Sequence, residues 1–123
     1  EREALELLAN ALYLAFPSEW YEGHPVVIAE AFSCGVPIIA SDVGNFSELI
    51  RPNVTGFHFE SGNAESLANI LRRALQNRSV ATEMGQNARD EYDRNYSREK
   101  SLKQLLDAYE SAKCHAERRE RRA

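Results

Sequence analysis

The chain is organised around one stretch, which reads Glu22-Gly23-His24-Pro25-Val26-Val27-Ile28-Ala29-Glu30. This pattern predicts a loop that runs into a helix. Proline suits the first helical position, where a missing N–H costs nothing, and the glycine two residues earlier lets the backbone approach a ligand closely. We predict that the helix runs to about Cys34, that Gly35 ends it in the left-handed conformation, and that Pro37 prevents its continuation.

Glu30 is the unusual residue of this helix. Positions 26–34 are otherwise apolar nearly all the way round, which is typical of a helix buried on more than one side. A carboxylate in such a helix is costly unless a partner hydrogen-bonds it. Arg2 is the one Arg or Lys among the first 50 residues, so the sequence offers no local partner. We therefore expect the Glu30 carboxylate to be hydrogen-bonded either by a residue distant in the chain or by a molecule other than protein.

The spacing of the two carboxylates indicates what that molecule is. Helical geometry places Glu22 and Glu30 roughly 10 Å apart, which is too far for both to act on one bond but suits the two ends of an elongated ligand. Between them lies a helix N-terminus, whose free N–H groups and positive dipole end bind anions. Hydroxyls at each end and phosphate in the middle describe a nucleotide sugar.

The two glutamates belong to a longer series, which reads Pro17-Ser18-Glu19-Trp20-Tyr21-Glu22-Gly23, then Glu30-Ala31, then Cys34-Gly35-Val36-Pro37-Ile38-Ile39-Ala40-Ser41. This series resembles the signature of the retaining glycosyltransferases that have two Rossmann-like domains, the GT-B enzymes of group 1 or family 4. Their signature has two Glu separated by seven residues, in a setting like P-S-x-x-E-G followed by E-A-x-x-x-G-x-P-V-[IV]-A-[ST]. The resemblance covers about residues 1–110.

The resemblance implies an α/β fold, namely a partial Rossmann-like domain corresponding to the second half of a GT-B C-terminal domain. Short parallel strands would be flanked by helices, with a helical C-terminus. Residues 1–113 would form this domain, and residues 114–123 a charged tail.

The resemblance also assigns roles to the residues of the organising stretch. Glu30 would hold the ribose 2′/3′ diol, and Glu22 would be the catalytic residue that contacts the transferred sugar. The backbone cradle for the sugar and the diphosphate would consist of Gly23, His24, Pro25, Val26 and Val27. His24 departs from the commoner Phe of E-G-F-P, and it would either touch the donor or sit on the rim.

The implied reaction moves a hexose from a nucleoside diphosphate sugar to a hydroxyl acceptor, with retention of configuration and with no metal or other cofactor. In such enzymes the acceptor domain and the basic side chains that stabilise the diphosphate lie upstream. We therefore expect this chain of 123 residues to be inactive alone. Missing strands would also leave the sheet edge at residues 12–16 open to self-association. The alternative is a non-catalytic binding or assembly module that inherited the two glutamates.

The composition, net charge and cysteine content indicate which classes of partner and which cellular compartment to expect. The chain is 43% apolar and 28% charged with a net charge of −4, which is ordinary for a soluble α/β protein and gives no indication of nucleic acid binding. Cys34 and Cys114 are interpreted as free thiols in the reducing cytoplasm. The tail is interpreted as a solvated helix end, and a peripheral membrane contact is the alternative.

Periodicity predicts the remaining elements. Strands are predicted at residues 12–16, 36–40 and 56–59, and helices at 2–11, after Asn45, after Gly62-Asn63, from Val80 to Tyr92 and after Ser97. The inward-facing stripes of the last three helices are predicted to be Leu67, Ile70, Leu71, Ala74 and Leu75, then Met84, Ala88 and Tyr92, then Leu102, Leu105, Leu106 and Tyr109.

Several polar and aromatic residues near the predicted strand ends are open to more than one interpretation. Trp20 and Tyr21 would pack on the base, face the acceptor domain or cap the core, and we favour packing. Residues 42–45 would line the site or serve as turn and cap. Glu48 is interpreted as a helix cap, and His58 as a surface strand residue.

Overall fold

The structure is a computed structural model, which describes residues 2–20 and 26–120, with side chains to residue 114. The described residues form three strands: β1 (Leu14–Phe16), β2 (Ile38–Ser41) and β3 (Gly56–Phe59). The α-helices are α1 (Arg2–Ala9), α2 (Val26–Ser33), α3 (Phe46–Leu49), α4 (Ala64–Leu75), α5 (Arg78–Glu91) and α6 (Arg98–Glu120). A π-helix, Tyr92–Tyr96, joins α5 to α6.

The strands form one parallel sheet in the order β1-β2-β3, so the predicted α/β class with short parallel strands is confirmed. Leu14 pairs with Ile38, and Ile38 pairs with Gly56. All four residues of β2 are buried, as expected of a parallel strand covered on both faces. Ile38 and Ala40 belong to one core cluster with Phe32 and Phe46, whereas Ile39 packs on the other face.

The end of α2 follows the prediction closely. Gly35 has φ of +67°, its N–H donates to the Phe32 carbonyl, and the Val36 N–H donates to the Ala31 carbonyl, both at 2.9 Å. This pair of bonds is a Schellman motif, which satisfies carbonyls that the helix leaves free. The guanidinium of Arg89 in α5 adds a hydrogen bond to the Ser33 carbonyl.

The first two strands begin two residues later than predicted. The Val36 N–H is already used at the end of α2, and Pro37 has no N–H to give to a sheet. The Pro37 carbonyl instead accepts the Leu14 N–H, where the pairing of β1 starts. Residues 10 and 11 still hydrogen-bond back to α1, which leaves the segment from 12 to 13 as its connection to β1.

The helix caps were predicted with mixed success. Asn63 caps α4 as expected, because its side-chain oxygen accepts the Ser66 N–H at 3.0 Å. Ser97 precedes α6, and its hydroxyl accepts the Lys100 N–H at 3.3 Å. The Asn45 side chain does not cap α3; its backbone carbonyl accepts the N–H of Glu48 instead.

The predicted stripes differ in how well they are covered. Met84, Ala88 and Ala74 are buried, and the remaining members of the α4 stripe except Leu75 are partly buried. Leu75 is 63% exposed, and Tyr92 is half-buried at the start of the π-helix. The α6 stripe is exposed, contrary to the prediction, with values between 52% and 66% for Leu102, Leu105, Leu106 and Tyr109.

Helix α5 approaches the end of α2 so closely that one position has no room for a side chain. A Cβ on Gly85 would lie 2.3 Å from the Gly35 carbonyl oxygen, which is a backbone atom. Replacing glycine inside a helix by alanine normally stabilises it by about 0.5–1 kcal/mol. We predict that Gly85→Ala instead lowers the free energy of unfolding by about 1–3 kcal/mol, measured by urea denaturation, because two helices must separate.

The neighbouring exposed residue provides the control. Gln86→Ala in the same helix is expected to change the free energy of unfolding by less than about 0.5 kcal/mol. A Gly85→Ala variant as stable as the wild type would contradict the close approach of α5 to α2.

The buried hydroxyl of Tyr13 is a second feature that lowers the stability of the fold. This hydroxyl has no hydrogen-bond partner among the described residues, and burial raises the pKa of the phenol from its ordinary value of 10.0. The pKa of Tyr96 is raised too, first by burial and then by the negative charge of Glu91. In both cases the unfolded chain releases its proton first as pH rises, so stability is lost above about pH 10.

We predict that Tyr13→Phe raises the free energy of unfolding at pH 7 by about 1 kcal/mol, because it removes an unsatisfied buried hydroxyl. The variant should also lose less stability than the wild type as the pH rises above about 10. Denaturant unfolding at each pH measures both effects, with Tyr109→Phe on exposed α6 as the control. A less stable Tyr13→Phe would show that the hydroxyl has a partner after all.

Candidate functional site

Three loops and one helix N-terminus meet at the carboxyl edge of the sheet. Because the strands are parallel, the segments that follow β1, β2 and β3 leave from the same edge, which is where open α/β sheets bind ligands. Helix α2 begins at Val26 on this edge. The predicted site therefore lies where the topology favours one.

The structure describes three of the seven predicted site residues. Glu22, Gly23, His24 and Pro25 lie outside the described residues, as does Tyr21, so their predicted roles stay predictions. Val26 is 70% exposed at the first position of α2, and Val27 is half-buried. The first turn of an α-helix has N–H groups without a carbonyl partner within the helix, which is the feature by which helix N-termini bind anions.

Glu30 lies half-buried in the wall of a cavity of about 250 Å³ between α1 and α2. Its other lining residues are apolar: Ala4, Leu5, Leu8, Leu14 and Val27. Among the described residues no basic side chain forms an ion pair with Glu30. A carboxylate in such surroundings retains hydrogen-bonding capacity that a polar ligand with vicinal hydroxyls would satisfy.

The opposite side of α2 anchors the helix. Ile28, Ala31 and Phe32 are fully buried against the sheet and α5. The prediction that α2 is buried on more than one side is wrong, because these three residues are spaced i, i+3 and i+4 and form a single face. The Glu30 side borders the cavity instead. The helix presents one rigid face to the core and its carboxylate to a space that a ligand can enter.

Hydrogen bonds connect the loops at the carboxyl edge of the sheet to one another. The hydroxyl of Ser41, at the end of β2, donates to the Ser18 carbonyl in the loop after β1. One oxygen of the Asp42 carboxylate accepts the Ser61 N–H at 2.9 Å, and the Asp42 N–H donates to the Phe59 carbonyl at 2.9 Å. Of the two interpretations of residues 42–45, these contacts favour the loop-forming one for Asp42.

The structure bears on two expectations about aromatic and basic residues. Trp20 is 80% exposed, so it does not cap the core, while contact with the base or with the acceptor domain stays a prediction. His58 is not a surface strand residue: it is half-buried, and its Nε2 lies 2.7 Å from the Ile50 carbonyl oxygen. Since a carbonyl only accepts, Nε2 must carry the proton. Glu48 is exposed at α3, and its interpretation as a side-chain cap stays a prediction.

Ser41 is the site-proximal residue to which sequence reasoning gave no role. It is fully buried, and the signal for its importance was present, because a hydroxyl at the end of an apolar strand must find a partner. Cys34 and Cys114 are free thiols, as predicted. No group of three His, Cys, Asp or Glu among the described residues is arranged to hold a metal ion. None of the described helices has the length and apolar character needed to cross a bilayer.

Comparison with known proteins identifies the family. Residues 1–91 match the model of the family described as Glycosyl transferases group 1. N-acetyl-alpha-D-glucosaminyl L-malate synthase of Bacillus anthracis is 32% identical over 104 residues, covering 85% of this chain and 27% of that protein. D-inositol 3-phosphate glycosyltransferase of a Nocardioides species is 30% identical over 114 residues, covering 93% and 24%. The chain thus spans about a quarter of the length of these relatives.

Solved structures agree on the fold. Sucrose-phosphate synthase from Thermosynechococcus elongatus has a TM-score of 0.83 at 29% identity, covering 94% of this chain and 29% of that one. Anabaena HepE, solved with UDP and with UDP-glucose, has a TM-score of 0.80 at 26% identity, covering 86% and 29%. The described α/β arrangement is therefore the Rossmann-like one of these neighbours, and the chain belongs to the group 1 glycosyltransferase family.

Proposed function

We propose that these residues bind the nucleoside diphosphate sugar donor of a glycosyltransferase that transfers a hexosyl group to a hydroxyl acceptor with retention of configuration. The observation that carries the proposal is Glu30, a half-buried carboxylate that shares an otherwise apolar cavity and pairs with no described basic residue. The UDP and UDP-glucose bound by the neighbour HepE support a ligand of this class.

Each part of the donor has a proposed partner. Glu30 accepts two hydrogen bonds from the ribose 2′ and 3′ hydroxyls, as an ionised carboxylate can. Residues 23–27 hold the diphosphate, whose developing negative charge is stabilised by backbone N–H groups and by the positive end of α2. Glu22 contacts the transferred sugar and is the proposed catalytic residue. This arrangement requires no resident metal ion.

The remaining steps fall to other parts of the enzyme. The chain covers 29% of the structural neighbour with the highest TM-score quoted above. We propose that an acceptor domain completes the site, and that the 123 residues alone bind a donor without transferring sugar, in the cytoplasm. A tail beginning at residue 114 would be solvated or in peripheral membrane contact.

A non-catalytic assembly module is the second candidate. The observations that favour it are the edge position of β1 in the described sheet and the exposed apolar stripe of α6. Concentration-dependent association without nucleotide binding would support this alternative, whereas nucleotide binding that depends on Glu30 would support the donor site.

We predict that one of UDP, GDP and ADP raises the melting temperature of the chain, and that Glu30→Gln weakens its binding. Because hydrogen bonds to a charged group contribute about 1.5–3 kcal/mol, the Kd measured by calorimetry should rise about 10- to 100-fold. Glu83→Gln, which changes an exposed carboxylate on α5, is the matched control and should bind like the wild type.

The 2′-deoxy form of the same nucleotide identifies the contact. It should bind the wild type more weakly than the ribonucleotide does, and the difference should shrink in Glu30→Gln, because the two changes remove one interaction. Equal affinities of wild type and Glu30→Gln for the ribonucleotide would exclude Glu30 from the site.

A further inference from the structure

A cavity of about 250 Å³, separate from the cavity beside Glu30, lies where the turn from α4 to α5 meets β3. Helix α4 begins after the end of β3, and its last turn reaches back to the turn before β3, where Arg73 hydrogen-bonds Asn53. The cavity therefore lies toward the amino edge of the sheet, whereas the donor site is proposed at the carboxyl edge. No step of the proposed function uses it.

This cavity has an apolar floor and a polar mouth. The floor consists of buried or partly buried side chains, namely those of Phe57, Ala74, Val80 and Met84. The mouth consists of exposed residues, namely Asn53, Arg73, Gln76 and Asn77. Arg73 carries the one charge among these lining residues. Apolar walls with a few polar groups are the usual composition of a small-molecule site.

Two contacts hold the Arg73 side chain at the mouth. Its guanidinium carbon lies 5.2 Å from the centre of the Phe57 ring, and one N–H group donates to the Asn53 side-chain oxygen at 3.3 Å. Arg73 forms no ion pair with a described carboxylate. A guanidinium has five N–H donors and can bind a carboxylate or phosphate group through two of them at once. Arg73 thus retains donors for an anion, and its position is restricted before an anion binds.

We propose that this cavity binds a small organic anion, whose apolar body lies on the floor and whose carboxylate or phosphate group pairs with Arg73. An inorganic anion would leave the apolar floor in contact with water, and a neutral molecule would cover the guanidinium without neutralising it. An apolar cavity of about 150 Å³ can hold benzene, so the volume here suffices for one ring and its charged group. The proposal is independent of the donor site, because other residues form the cavity.

Met84 provides a local test, because it is the one methionine of the chain and lies in the floor. We predict that benzoate or phenyl phosphate shifts the NMR signal of its ¹³C-labelled methyl group in a saturable way. The Kd should be on the order of 1 mM, which is usual for so small a ligand. Benzamide has the same ring without the charge, and it should bind at least about fivefold more weakly than benzoate because it forms no ion pair.

Two neighbouring arginines provide the matched variants. Arg73→Gln should raise the Kd for the anion at least about fivefold, since it removes the charge at the mouth. Arg72→Gln removes the same charge one residue earlier, where the side chain bonds to Asn69 at 3.0 Å outside the cavity lining, and it should change the Kd less than about twofold. Asn53→Gly tolerates the φ of 61° at this position and removes the amide that holds Arg73, so it should raise the Kd about two- to threefold.

The outcomes decide both halves of the proposal. A Met84 signal that does not shift with either organic anion would overturn it. Equal affinities for benzoate and benzamide, or equal weakening by Arg73→Gln and Arg72→Gln, would show that Arg73 does not recognise the charge. Inorganic phosphate that shifts the Met84 signal with the same Kd as phenyl phosphate would show that the apolar floor contributes nothing, and would overturn the proposal as well.

Discussion

The burial of β2 on both faces is the constraint from which the site follows. A strand with no solvent on either side must pair every polar group within the protein, because an unpaired one costs about 1–3 kcal/mol. Along the strand the backbone satisfies this through β1 and β3. At its carboxyl end the hydroxyl of Ser41 bonds to the loop that follows β1, and the backbone N–H of Asp42 bonds to Phe59, the last residue of β3. The loops at the carboxyl edge of the sheet are thus held in place by hydrogen bonds that the buried strand requires.

Helix α2 combines two demands that usually exclude each other. It must be buried enough to be rigid, and under the proposed function it must also present a charge and N–H groups to the donor. The structure separates these along the helix circumference, with Phe32 and Ile28 toward the core and Glu30 toward the cavity beside α1. The Schellman motif at Gly35 and the Arg89 guanidinium satisfy carbonyls at its C-terminal end.

The sequence was most informative where a single residue type dictates backbone geometry. Gly35 and Asn63 end and start helices as predicted, and β3 has the predicted bounds, because glycine and a capping amide act locally. Glu30 could be recognised because a lone carboxylate in an apolar helix violates a general rule. The positions of the strand starts depended instead on how Pro37 and Val36 share their backbone groups between a helix end and a sheet.

The wrong predictions of burial have a common cause, which is that burial depends on elements distant in the chain. Periodicity shows that Leu102 and Leu106 lie on one face of α6, but it contains no information on whether another element covers that face. The same holds for Trp20, which is apolar enough to pack and yet exposed. The prediction for His58 was wrong in the opposite direction, because the residue was expected at the surface and is half-buried. Its position depends on where the Ile50 carbonyl lies, eight residues away in the chain.

The meeting of Gly35 and Gly85 limits how this sequence can diverge. Most packing conflicts in a core can be relieved when a second mutation shortens the facing side chain. Here the facing atom is a main-chain oxygen, which every amino acid possesses, so no exchange at position 35 makes room for a larger residue at position 85. Descendants of this chain can lose that glycine only by moving one of the two helices, and a shift of α2 would also move its amino-terminal end at the carboxyl edge of the sheet.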